Sequence, residues 1–342
     1  MKKSITAFLL LILTLISVVL CGCEAHSDDH KQTTQIFAMD TVIDITAYGE
    51  KAQKAIDEAA KVIRNLDKLF SVTNEKSDVY KLNNAKGELL LLNSDTYSLL
   101  TIAREIYYLT NQNFDITIYP VMKLWGFTTD SYKVPSQDEI EAELEKVNCS
   151  NIFFLDKDIA CLENGAQIDL GGIAKGYAAD KAAQAMKDAG IEYGIITIGG
   201  NVRTVGTKPS GEDFTVGIQD PESENYFAVI NTGEGSVITS GAYQRNFTEN
   251  GKTYHHIIDP RTGYPSDSDA VSVTIIGKDG AVCDALSTAV FIGGSEYAYS
   301  LREKYDEFEY VILTKDNKVI ASKNLEGNLN LEDGYDFELI YK

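Results

Sequence analysis

Cysteine, histidine, tryptophan and basic side chains are all scarce in this 342-residue chain, and each scarcity closes a line of interpretation. Of five cysteines, two stand close together at Cys21 and Cys23, which leaves Cys149, Cys161 and Cys283. Three widely spaced cysteines make neither a disulfide framework nor a thiolate metal cluster, and read as small buried residues. Lysine and arginine number 31 against 51 acids, a formal net charge of −20. Such a balance argues against nucleic-acid binding and against attraction to anionic lipid headgroups. The glycine-rich run at residues 169–180 matches neither the dinucleotide fingerprint G-x-G-x-x-G nor the phosphate loop ending in G-K-[ST], which disfavours a Rossmann domain. The apolar stretch over residues 8–20 is too short to span a bilayer comfortably, and behind Met1-Lys2-Lys3 it has the shape of a signal-peptide core.

That stretch closes in Leu20-Cys21-Gly22-Cys23, which resembles the lipobox of bacterial lipoproteins, with a small residue ahead of the cysteine that takes the lipid. The resemblance implies a signal peptide over residues 1–22, lipid on Cys23, and a protein anchored to the cell membrane on its extracytoplasmic face. Residues 23–35 are polar without apolar period and read as a flexible tether, with His26 and His30 solvated in it. The remainder, 36–342, shows no linker or low-complexity break and is treated as one folded body.

Within that body, alternation over residues 37–48 predicts a strand. Ala52, Ala55, Ile56, Ala59, Val62, Ile63, Leu66 and Leu69 then follow the helical period and predict an amphipathic helix. Further helices are expected over 95–109, 173–189, 281–291 and 296–304, the second stopping at Gly190. Strand composition marks 193–198, 201–206, 214–218, 226–230, 270–276, 310–313 and 318–321. No regular strand-helix-strand beat runs through these elements, so the expected class is α+β with mostly antiparallel sheet.

Two distant segments carry candidate chemistry. Asp169-Leu-Gly-Gly-Ile-Ala-Lys-Gly-Tyr-Ala-Ala-Asp180 packs three glycines, Lys175 and acids around a helix start, where free N–H groups and the positive dipole end favour an anion. His255 and His256 precede Asp259-Pro-Arg-Thr-Gly263, a turn that would hold one imidazole at a loop mouth, ready to exchange a proton near neutral pH. Asp284 and Thr288 lie four apart in an expected helix, so a carboxylate and a hydroxyl can face one hard cation such as magnesium, although that spacing is common on exposed helices too. An acidic chain that binds an anionic dinucleotide needs local compensation, which a divalent cation, a lysine and helix N-termini supply. The lone tryptophan, Trp125, stands in the aromatic-rich stretch 114–127, which suits either the pocket of a flat heterocycle or ordinary core packing.

Taken jointly the segments resemble the ApbE family, the FAD:protein FMN transferases. The likeness is carried by Met39-Asp-Thr41, Phe70-Ser71, residues 77–83, 114–127 and 169–180, Gly199-Gly-Asn201, Ser240-Gly-Ala-Tyr-Gln-Arg245, residues 256–263, and Asp284 to Thr288. It implies a T-fold-like α+β body that uses Mg2+ to split FAD, moving FMN onto a threonine or serine of an exported or membrane protein and releasing AMP. By the same likeness Gly172, Asp284 and Thr288 hold the metal, and Met39, Trp125, Gly126, Phe127, Asp169, Lys175 and Ile258 surround FAD. His256 is then the base that deprotonates the acceptor hydroxyl. Asp40 stands where the family commonly has glycine. The implied acceptor carries a D-x-x-[ST]-G-A-[ST]-like motif and belongs to a membrane ion-pumping or electron-transfer complex. Residues 236–243 resemble that motif faintly but lack its leading acid, which favours a strand-and-turn role in the chain's own fold. Two other readings use the same residues: a Mg-dependent FAD pyrophosphatase releasing FMN and AMP, and a non-catalytic flavin-binding lipoprotein.

Overall fold

The computed structural model describes residues 30–129 and 131–342, so Cys23 and the signal-like run lie outside the described residues. Strands β1 (Gln32–Ala38) and β2 (Thr41–Ala47) form a hairpin closed by the pair Ala38↔Thr41, with Met39 and Asp40 as a two-residue turn. Both turn residues have positive φ, 53° and 56°, as a type I′ turn requires. The single strand expected over 37–48 is therefore two, because the alternation runs through a turn that contains no glycine to announce it. β1 also begins inside the expected tether. Residues 32–35 pair with β2 through their backbone while their side chains stay largely exposed, so polar composition did not reveal them.

Helix α1 (Ala52–Phe70) buries Ala52, Ala55, Ile56, Ala59, Ile63 and Leu66 of the stripe its period predicts, with Val62 and Leu69 partly buried at its margins. There follow α2 (Asp78–Asn84), capped by Ser77; β3 (Leu90–Leu91); α3 (Ser94–Leu109), capped by Asn93; α4 (Tyr119–Trp125); and α5 (Gln137–Leu144), which starts on a Ser136/Glu139 capping box. Next come β4 (Ile152–Leu155), β5 (Ile159–Leu162), α6 (Ala174–Asp188), β6 (Gly194–Ile198), β7 (Asn201–Val205), β8 (Phe214–Gln219) and β9 (Tyr226–Thr232). The chain continues through β10 (Ser236–Gly241), β11 (Asn246–Glu249), β12 (Lys252–His255), β13 (Ala270–Gly277), α7 (Gly280–Gly293) and α8 (Ser295–Arg302). It closes with β14 (Phe308–Thr314), β15 (Lys318–Ala321), β16 (Leu329–Leu331) and β17 (Glu338–Tyr341).

Nine strands form one sheet in the order β1-β2-β6-β7-β10-β13-β14-β15-β17. Its pairings are antiparallel except β15 with β17, in keeping with the expected α+β class. Smaller sheets are β16-β9-β8, β3-β5-β4 and the hairpin β11-β12. The main sheet is covered on both faces, and β14 shows how. Tyr310 and Ile312 enter the main core with α1, α6 and α7, whereas Val311 and Leu313 enter a second core under β8 and β9. Side chains alternate across a strand, so one strand serves two cores. A third, aromatic core joins α4, α5 and the β11-β12 hairpin. Among the described residues no helix is long and apolar enough to cross a membrane.

The tips of two hairpins meet at one end of the main sheet. The β6-β7 turn is Gly199-Gly200, with φ of 55° and 91°, and Gly199 N donates to Val42 O at 3.3 Å. A Cβ on Gly199 would lie 2.8 Å from Thr41 Oγ1, so the tip accepts glycine alone at this approach. This contact holds the start of β2, just after the Met39-Asp40 turn, against the β6-β7 turn.

Candidate functional site

Helices α6 and α7 touch through glycine. A Cβ on Gly176 would stand 2.0 Å from Gly280 O and 2.8 Å from Asp284 Cβ, a separation that permits hydrogen but not methyl. The closeness lets Gly176 N donate to Asp284 Oδ2 at 2.9 Å, while Asn201 Nδ2 donates to Asp284 Oδ1 at 3.1 Å. Asp284 is therefore buried, at 4% exposure, with one donor on each oxygen and a lone pair remaining on each. One turn along α7, Thr288 Oγ1 is 3.6 Å from the position a Cβ on Gly172 would take. Asp284 and Thr288 thus share one face of α7 as their spacing predicts, and the fold brings Gly172, named by the family resemblance alone, beside them. Their donors are all oxygen, the set a hard divalent cation takes when it also binds substrate phosphates. Among the described residues no group of three or more His, Cys, Asp or Glu side chains offers an alternative metal cluster.

The segment leading into α6 is held from both sides. Asn83 accepts from Ile168 N at 2.7 Å and donates to Ile168 O at 2.9 Å, and Asp169 N donates to Ile116 O at 2.9 Å. Asp169 Oδ1 accepts from Gly171 N at 2.6 Å, and Lys175 Nζ donates to Gly171 O at 2.9 Å. Asp284 thus takes the Gly176 N–H of the first turn of α6, and Asp169 takes the Gly171 N–H of the turn just before it, so the donors of this segment are partly committed to carboxylates. Desolvation raises the Asp169 pKa; the Gly171 hydrogen bond, Lys175 and Arg245 oppose the rise, and Asp40 adds to it. Asp40, exposed at its turn, therefore acts on Asp169 through space.

The two histidines part company. His255 Nε2 donates to Ser266 O at 3.0 Å and its ring lies edge-on to Phe291, so it packs into the body. His256 makes one ring hydrogen bond, Nδ1 to Arg245 O at 3.1 Å. A carbonyl can only accept, so Nδ1 carries the proton and Nε2 of the neutral ring is the basic atom. Desolvation lowers the His256 pKa to about 4; the Arg245 carbonyl pulls the other way, while the charges of Arg245, Lys175 and His255 reinforce the fall. His256, Asp169, Lys175, Arg245 and Asp40 accordingly share one electrostatic neighbourhood.

The remaining expected residues frame that neighbourhood from the aromatic core. Trp125 is fully buried at 0% exposure, its Nε1–H donating to Gly263 O at 2.8 Å and its ring against Phe127, Phe247, Tyr254 and Tyr264. Phe127 and Ile258 are buried with it, and Gly126 ends α4 with φ of 84°. The indole is therefore spoken for by packing, and what this segment presents outward is main chain: Phe127 O accepts from Arg245 Nη1 at 3.2 Å. Met39, half-buried, is held by Asp67 Oδ1 accepting from its N–H at 3.0 Å. Sequence reading left two contributors out of the site, Asn201 and Arg245. Both end a recognisable signal, a Gly-Gly hairpin turn and a Ser-Gly-Ala-Tyr run, but their partners are more than 80 residues away for Asn201 and Asp284 and more than 100 for Arg245 and Phe127.

A model described as the ApbE family matches residues 39–312. Among curated proteins, the FAD:protein FMN transferase of Klebsiella pneumoniae is 32% identical over 214 residues, 61% of this chain and 66% of that one. Its namesake in Treponema pallidum is 30% identical over 237 residues, covering 64% and 66%. The matched stretch spans just under two thirds of those relatives' length. Among solved structures, the ApbE protein of Thermotoga maritima superposes with a TM-score of 0.83 at 34% identity, covering 87% of this chain and 99% of that one. The flavin transferase ApbE from Vibrio cholerae, at 23% identity and a TM-score of 0.78 over 87% and 99% of the two chains, shares the fold. On the span of the family match and the agreement of the fold, the chain belongs to the ApbE family.

Proposed function

We propose that this chain is an FAD:protein FMN transferase, moving FMN from FAD to a threonine or serine hydroxyl of another protein and releasing AMP. The observation that carries the reading is His256, a neutral imidazole whose Nδ1–H is committed to Arg245 O and whose Nε2 is left basic beside Lys175 and Arg245. In the proposed step the hydroxyl oxygen attacks the FMN phosphorus as its proton passes to His256 Nε2. The bridging P–O bond of the diphosphate breaks, and AMP leaves with that bond's electron pair. Phosphoryl transfer of this kind depends on positioning and charge neutralisation more than on covalent chemistry by the protein.

Lys175 and Arg245 offset the diphosphate charge in a chain of net charge −20. Asp284, Thr288 and the Gly172 carbonyl fit a magnesium ion, which when bound would neutralise the phosphates further. Met39, Asp169, Ile258 and the main chain of Trp125, Gly126 and Phe127 are proposed to surround FAD. Cys23 is proposed to carry the lipid that keeps the protein at the extracytoplasmic face of the membrane, near an acceptor with a D-x-x-[ST]-G-A-[ST]-like motif in a membrane ion-pumping redox complex.

Incubation with FAD, Mg2+ and an acceptor bearing that motif, followed by intact-mass spectrometry, tests the reading. One FMN on the acceptor with matching AMP release supports it. Free FMN without adduct indicates the pyrophosphatase, and bound flavin without AMP indicates a binder.

A further inference from the structure

We propose that Asp180 is a positioning residue for the cation ligands, locking α7 against α6 in the register that sets Asp284 and Thr288 beside Gly172. The inference rests on the cation reading given under the proposed function. Asp180 is on α6, one turn after Gly176, and its Oδ2 accepts from Gly280 N at 2.6 Å and Ala281 N at 3.2 Å at the start of α7. Its Oδ1 is 2.9 Å from Arg203 Nε. Helix α7 already has its own cap, Asp279, whose side chain accepts from Val282 N at 2.9 Å. A second carboxylate from another helix is therefore more than α7 needs to begin, and what it adds is a fixed relation between two helices.

Four ties make that relation rigid. From α6, Gly176 N reaches Asp284 and Asp180 reaches Gly280 and Ala281, so contacts one turn apart on one helix meet contacts one turn apart on the other. From β7, Asn201 reaches Asp284 and Arg203 reaches Asp180. Asn201 and Arg203 are two apart on a strand and so share a face. The same face of β7 thus grips the carboxylate proposed to hold the cation and the carboxylate that indexes its helix. Arg203 is itself buried, at 9% exposure, and is braced by Glu234 at 3.8 Å. Removing Asp180 leaves Asp284 chemically intact and lets α7 shift by the few tenths of an ångström to which a metal site is sensitive.

The experiment titrates Mn2+ into wild-type, Asp180→Ala and Asp180→Asn proteins, read by electron paramagnetic resonance, with metal-free FAD binding followed by flavin fluorescence and folding by circular dichroism. Asp180→Ala is expected to weaken Mn2+ binding about tenfold, with metal-free FAD binding unchanged and Asp180→Asn, which keeps an acceptor oxygen, in between. In turnover the half-saturating Mg2+ concentration should rise while kcat at saturating Mg2+ holds. A folded Asp180→Ala protein with wild-type Mn2+ affinity overturns the proposal; if that variant does not fold, wild-type affinity in Asp180→Asn does so. Wild-type protein that binds no Mn2+ overturns the cation reading as well, so the two failures are told apart.

Discussion

Acid titration of His256 probes the site at the atom proposed to do the chemistry. Burial, with Arg245, Lys175 and His255 nearby, lowers this ring to about 4 from an ordinary 6.5. At pH 5.5 a ring with pKa 4 is about 97% neutral, whereas an unperturbed one is about 9% neutral. The free protein should therefore keep its base ready far into the acid range. An FAD diphosphate bound against Lys175 and Arg245, as proposed, would offset their repulsion and raise the His256 pKa toward its ordinary value. NMR of the imidazole C–H signals, assigned with His255→Gln, measures both states. The kinetic counterpart is an acid limb in kcat at higher pH than the limb in kcat/KM, since the two report the bound and free enzyme. Because the folded pKa is depressed, the unfolded chain binds the extra proton between about pH 4 and 6.5, so this group's contribution to stability is present above 6.5 and lost as pH falls through that window. A free-protein His256 that titrates at or above 6.5, or one that moves further down on adding FAD, refutes the electrostatic account.

Gly176→Ala should destabilise the protein in urea unfolding by about 1–3 kcal/mol or more, an overpacking cost that exceeds the roughly 1 kcal/mol gained in helix propensity, because its Cβ would sit 2.0 Å from Gly280 O. It should also abolish transfer by displacing Asp284. Trp125→Phe leaves the buried Gly263 carbonyl without its 2.8 Å donor, a loss of about 1–3 kcal/mol in the same unfolding assay, with FMN transfer at saturating FAD retained. Asp284→Ala should remove transfer as completely as a chelator does, and added Mg2+ should restore only the chelated wild type.

Much of the fold was legible where one face of an element is buried. The period of α1 placed that helix to within a residue; α3, α6 and α7, the last buried on nearly every side, fell within a residue or two of expectation, and β15 fell on the expected residues. Short elements escaped for want of a period: α2 and α4 are seven residues each, and β11-β12 is a largely exposed hairpin whose aromatics Phe247 and Tyr254 serve the third core. At the site, Asp284 and Thr288 were readable because one helix carries both. Gly172 joined them only through tertiary contact, and the division of labour between His255 and His256 depended on which carbonyl each ring met. At Trp125 an aromatic-rich stretch suits a pocket and a core equally in one dimension; its ring is buried in the third core, which leaves its main chain for the proposed contact with FAD.

The central claim is that an acceptor hydroxyl, deprotonated by His256, takes the FMN phosphorus from FAD. Its most direct measurement is the intact mass of an acceptor protein after incubation with FAD, Mg2+ and either wild-type or His256→Ala enzyme, with the acceptor threonine replaced by valine as the blank. The account predicts a single-FMN adduct with wild type and none with His256→Ala, although that variant still binds FAD. An undiminished adduct with His256→Ala, or one that persists on the valine acceptor, would contradict it.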